Sequence, residues 1–143
     1  MIYTALDALG GRVAMAREPT TPGEWASHIE EGLPFASAVA LKDSLKLTNA
    51  ELAAVLGISP RTLARLNPAK SRLDLVSGDR LVRAARLLAI AVDVLEDVES
   101  AVRWLKSPQR ALGGAIPLQR AATDVGAREV ETLLGRMEHG VYT

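Results

Sequence analysis

Apolar residues recur at spacings of three and four from one end of this chain to the other, while strict alternation never persists. That period belongs to helices with one buried face, so the predicted fold class is all-α. Met1 to Arg17 reads as a helix interrupted at Gly10-Gly11, and Glu18-Pro19-Thr20 as a loop. In Thr21-Pro22-Gly23-Glu24 an N-cap threonine precedes a proline at the first helical position and a glutamate at the third, predicting a helix to about Gly32. Pro34 opens another, which carries Phe35, Val39, Leu41 and Leu45 and ends near Lys46.

The stretch LTNAELAAVLGISPRTLARL, residues 47–66, is the most informative. Thr48 and Glu51 form a capping box, so a helix starts at Asn49; Leu52, Val55 and Leu56 face a core, and Gly57 ends the helix by accepting a positive φ. Ile58 plugs the corner. Ser59 caps a second helix with Pro60 in its first turn, Leu63 and Leu66 point inward, and Asn67-Pro68 stops it. The small Ala53, four residues before Gly57, lets the two helices cross closely, as a helix-turn-helix requires.

Downstream, SGDRLVRAARLLAIAVDVLE predicts the longest helix, with Ser77 as its cap. From Leu87 to Val92 it is apolar on every side, which means burial between two layers or against a second copy of the chain. A helix over Val98 to Lys106 follows, with Val98, Ala101, Val102 and Leu105 on one face. Pro108 and Gly113-Gly114 break the chain, Pro117 restarts it, and Gly126 separates a last helix whose stripe is Val130, Leu133, Leu134 and Met137.

Composition narrows the function classes. With 143 residues, 48% of them hydrophobic, the chain can bury a real core. No segment approaches a membrane span and the first residues lack the basic region of a secretion signal, so a cytoplasmic protein is expected. Absence of cysteine removes thiol chemistry, and His28 and His139 are too far apart in sequence to suggest a metal set. There is no His-carboxylate cluster and no phosphate-cradling glycine loop after a strand, so neither an enzyme nor a cofactor is expected.

The net charge of zero hides an asymmetry. Residues 59–86 carry seven basic side chains (Arg61, Arg65, Lys70, Arg72, Arg80, Arg83 and Arg86) against two acidic ones, whereas both flanking regions are acidic. Such a block is either a solvated helix face or a polyanion site. The absence of aromatics beside the arginines favours duplex DNA over single strands.

The spacing of Ala53, Gly57, Ile58 and Leu63 resembles the helix-turn-helix of phage-repressor and Xre-class DNA-binding domains. That resemblance implies that Asn49 contacts phosphate and that Ser59, Arg61, Thr62 and Arg65 lie on the exposed front of a recognition helix, with Lys70 and Arg72 extending the surface. A guanidinium suits guanine in the major groove, and hydroxyls at a helix N-terminus suit phosphate. Proteins of this kind read paired half-sites, so a homodimer is expected, paired through the helix from Leu81 to Leu95.

The remaining third, through Trp104-Leu105, Pro108, Leu112-Gly113-Gly114, Pro117-Leu118, Thr123, Gly126, Val130, Leu133 and Gly140-Val141-Tyr142, resembles the toxin-binding domain of the Xre/MbcA/ParS antitoxins. It departs from that pattern at Gln109, Ala115-Ile116 and Arg120-Ala121. The resemblance implies a type II antitoxin that neutralises a RES-domain, NAD-depleting toxin and represses its own operon. It also implies a toxin-binding set of Leu112, Gly113, Gly114, Met137, Gly140, Val141, Tyr142 and Thr143. The tail from Val141 offers an apolar side chain, a flat aromatic and a carboxylate to a pocket built for an anionic dinucleotide. For Trp104 a core role is the plainer reading, and for Gly113-Gly114 a structural turn is the alternative. The expected division is an N-terminal helical segment (1–34), a helix-turn-helix domain (35–76) and a dimerisation and toxin-binding domain (77–143). The alternative function is a dimeric helix-turn-helix regulator without a toxin partner.

Overall fold

The structure is a computed structural model and describes residues 3–15 and 18–140, apart from the side chains of residues 12 and 13. Two short helices, α1 (Ala5–Ala8) and α2 (Gly11–Met15), meet at Gly10, whose φ of 90° and missing Cβ let Ala14 and Ala40 approach. Helices α3 (Pro22–Glu31) and α4 (Phe35–Leu45) follow, with Thr21 capping α3 as the sequence predicts. The chain continues through α5 (Asn49–Leu56), α6 (Pro60–Ala64), α7 (Leu75–Leu95) and α8 (Val98–Leu105). A 3₁₀ turn at Arg110–Leu112 leads to α9 (Pro117–Arg120) and α10 (Asp124–Glu138).

No strand forms among the described residues. An isolated bridge joins Pro34 and Arg72: the Phe35 amide donates to the Ser71 carbonyl at 2.9 Å and the Leu73 amide to Leu33 at 2.8 Å. These bonds fasten the segment after α6 to the α3–α4 junction.

Helix α7 is the axis of the molecule, with α1, α5, α8 and α10 packed around it. Leu81, Leu87, Leu88 and Ala91 are at most 1% exposed. In its apolar middle Leu87, Leu88 and Ala91 are buried within the chain, while Ala89, Ile90 and Val92 keep partial exposure. Helices α8 and α10 fold back on either side of α7 and cover its buried face. Its cap differs from expectation. Asp74 accepts from the Ser77 amide at 2.8 Å and starts the helix three residues early, leaving Ser77 buried with its hydroxyl donating to the Leu56 carbonyl at 3.0 Å.

Two further corrections concern the C-terminal helices. Gly126 does not precede the last helix but lies in its first turn, donating its amide to the Thr123 cap at 3.0 Å. A Cβ there would collide with the Arg120 carbonyl, so this glycine lets α9 and α10 touch backbone to backbone. Val98, expected on the buried face of α8, is 40% exposed because it stands at the first helical position, beyond the end of the packing surface. Ala101, Val102 and Leu105 are buried as expected.

Candidate functional site

The helix-turn-helix assembles from local signals. Thr48 accepts from the Glu51 amide at 3.1 Å while the Glu51 carboxylate accepts from the Thr48 amide at 2.8 Å. That backbone bond is the main reason the Glu51 carboxyl titrates below its ordinary value. Gly57 takes φ 75° and turns the chain, Ile58 is half-buried at the corner, and Leu63 is buried beneath α6. Ser59 caps α6 by accepting from the Thr62 amide at 3.0 Å, and its hydroxyl donates to that of Thr62 at 3.0 Å. Ser59 and Thr62 thus engage each other and remain exposed, as do Asn49 on α5, Arg61 on α6 and Arg65 at its end. Lys70 is exposed on the next loop, which is braced by Asn67 Oδ1 accepting from the Ala69 amide at 2.8 Å.

The remaining arginines of the basic block are employed inside the molecule. Arg72 donates to the Gly32 carbonyl at 2.8 Å, beside the Pro34 bridge. Arg80 donates through three nitrogens: Nε to Val55 at 2.8 Å, Nη2 to Ala54 at 2.9 Å and Nη1 to Ala122 at 3.0 Å. Arg83 pairs with Asp79 at 2.9 Å and reaches Ala122 at 3.3 Å; Arg86 pairs with Glu131 at 2.9 Å. Of the seven cations, Arg61, Arg65 and Lys70 make no side-chain hydrogen bond or ion pair among the described residues.

The second candidate surface is the turn after α8. The Gly114 amide donates to the Gln109 carbonyl at 2.9 Å and the Gln109 amide to Ala115 at 3.0 Å, closing a small loop. Gly113 and Gly114 adopt φ 67° and 88°, with open space where side chains would stand, so their backbone faces outward. Leu112 is buried beneath them, and Met137 on α10 is half-buried against the core. Trp104 is likewise half-buried against the core. Gly140 is exposed with φ 75°; Val141, Tyr142 and Thr143 lie outside the described residues. Two departures from the expected motif find structural employment. Gln109 donates its amide to the Trp104 carbonyl at 2.9 Å, capping α8, and Arg120 donates to Leu112 at 3.0 Å while pairing with Glu129 at 3.2 Å.

Sequence reasoning counted Arg80 only as part of the basic block and missed Lys106 altogether. Lys106 Nζ donates to the carbonyls of Lys46 at 2.7 Å and Leu45 at 3.1 Å, capping α4. No local signal marks either residue, because their acceptors lie 25 or more residues away for α5 and Ala122, and about sixty for α4. A model of the Xre-like antitoxin helix-turn-helix domain matches residues 24–86, and one of the Xre/MbcA/ParS C-terminal toxin-binding domain matches residues 91–140. A curated antitoxin Xre of Yersinia enterocolitica is 30% identical over 135 residues, covering 91% of this chain and 91% of that one. The chain belongs to the Xre antitoxin family. An antitoxin Xre of Photorhabdus laumondii is also 30% identical, over 116 residues, which are 80% of this chain and 78% of that one. A chain of the crystallised MbcT–MbcA toxin–antitoxin complex of M. tuberculosis shares the fold, with a TM-score of 0.52 at 24% identity over 74% of this chain and 94% of that chain. The protein is an antitoxin of a toxin–antitoxin system, with its toxin-binding domain in the C-terminal third. No helix among its described residues is long and apolar enough to cross a membrane.

Proposed function

We propose that this antitoxin neutralises a RES-domain toxin that depletes NAD, and that it represses its own operon by binding duplex operator DNA as a homodimer. The observation that carries the DNA reading is that Arg61 and Arg65 stand exposed and unpaired on a helix otherwise fixed to the core by Leu63. Free guanidiniums at the front of a helix-turn-helix suit bidentate bonds to guanine, and Lys70 and Asn49 suit phosphate. Ser59 and Thr62 support this surface chiefly by capping α6, and Arg72 by bracing the segment behind it.

The toxin arm rests on the family and on the exposed backbone of Gly113 and Gly114, which a partner chain can approach closely. In this reading residues 35–76 serve DNA, residues 77–143 serve the toxin and assembly, and residues 1–34 buttress α4 and α7. The protein acts by binding, in the cytoplasm, where both partners are found.

Co-expression with the adjacent open reading frame tests the toxin arm: the antitoxin restores growth and cellular NAD. Deleting residues 141–143 weakens that rescue while retardation of the upstream promoter duplex is unchanged. Full protection by the truncated protein would remove the tail from the toxin-binding surface, and a neighbour whose toxicity leaves NAD intact would remove the RES assignment.

A further inference from the structure

The last four carbonyls of α5 have no partner within their own helix, and each is met from outside it. Ala53 accepts from the Ile58 amide at 3.0 Å and Ala54 from the Gly57 amide at 3.2 Å. The other acceptors are served by α7: Leu56 by the Ser77 hydroxyl and Val55 by Arg80 Nε, while Arg80 Nη2 adds a second bond to Ala54. The end of α5, from which the turn into α6 departs, is thus held by side chains of another helix. Gly57 makes this approach possible, since a Cβ at that position would lie 2.9 Å from Arg80 Nε.

The third nitrogen of the same guanidinium donates to Ala122, between α9 and α10 and inside the matched toxin-binding domain. Beside this bond α5 is separated from α9 by a cleft of about 340 Å³, walled by Ala54, Val55, Ile116 and Leu118. Between α5 and the α9–α10 turn the tie is this guanidinium, while α10 packs directly on α7 and Arg83 adds a second bond to Ala122.

We infer that Arg80 is a positioning residue that sets the pose of the recognition helix and transmits the state of the toxin-binding domain to it. The inference rests on the proposed DNA reading. The guanidinium is a planar fork of fixed geometry, so displacing Ala122 strains or breaks its bonds to α5. A toxin docked on the C-terminal domain then alters operator affinity, and operator DNA alters toxin affinity by the same factor.

The test uses the full chain and three variants: Arg80→Ala, Arg80→Lys and Arg83→Ala. Arg83→Ala removes the second bond to Ala122 without touching α5. In hydrogen exchange on the free protein, Arg80→Ala speeds exchange over residues 57–63 relative to the centre of α7, whereas Arg83→Ala does not. With the upstream promoter duplex as probe, the wild type gains protection over residues 123–127, and both Arg80 variants lose that response. Operator affinity falls about tenfold in Arg80→Ala. It recovers in part in Arg80→Lys, because an ammonium still caps α5 but cannot also span to Ala122.

Unchanged exchange over residues 57–63 in Arg80→Ala overturns the positioning role, with or without DNA. A normal response over residues 123–127 in that variant overturns the transmission. A wild type that ignores the duplex overturns the DNA reading and the transmission together, while the exchange measurement still decides the positioning.

Discussion

The two halves of the basic block are built from the same cationic side chains and do different things. Arg61, Arg65 and Lys70 point into solvent, whereas Arg72, Arg80, Arg83 and Arg86 end on carbonyls or carboxylates of other elements. The difference lies in what surrounds them. The first three stand on a short helix and loop at the edge of the fold, while the others stand where helix ends and loop carbonyls of other elements come within reach. A run of positive residues is therefore no measure of a polyanion site until the acceptors inside the molecule have been counted.

The comparison breaks most visibly at α6. Arg61→Ala and Arg65→Ala should each cost about 1–3 kcal/mol of operator affinity in a gel shift, with the melting temperature unchanged. A double variant that still binds the upstream duplex like the wild type would erase the distinction between the halves. Arg72→Ala should do the reverse. It removes a bond to the half-buried junction at Gly32, so it should cost about 1 kcal/mol in denaturant unfolding and leave operator affinity nearly intact. Arg86→Ala touches a pair whose arginine is 61% exposed, so its effect on unfolding should stay below about 1 kcal/mol and shrink further in high salt.

Glu51 offers the smallest effect. Its carboxylate caps α5 and titrates below the ordinary value of 4.5, chiefly because it accepts the Thr48 amide. The cap's contribution is thus complete above that value and fades as pH falls through the lower folded value. In thermal melts, the advantage of the wild type over Glu51→Gln should be full well above pH 4.5 and should shrink steadily as the pH is lowered below it. An advantage that persists in acid would mean that the neutral side chain caps equally well.

What could be read from the sequence is what the chain decides locally. Thr48 with Glu51, Gly57, and Ser59 with Pro60 each act within five residues of their partners, and the motif they build is the one observed. Ser77 misled because Asp74 is an equally good cap three residues earlier, and the buried Leu56 carbonyl needed the serine hydroxyl. Gly126 misled because a glycine before a helical run reads as a boundary, while its use here is to admit the Arg120 backbone. The fate of Arg72, Arg80 and Arg86 depends on acceptors 25 to 45 residues away, a distance over which side-chain pattern carries no signal.

The brevity of α6 bears on the proposed regulation. Five residues rise about 7.5 Å, and at 3.4 Å per base pair they can lie against only about two or three pairs. In the language of information, a three-letter word recurs by chance about once in 64 positions, far too often to name one promoter in a genome. An operator read by this antitoxin should therefore be a phrase of repeated short words, and its selectivity should rise with the number of copies that assemble on it.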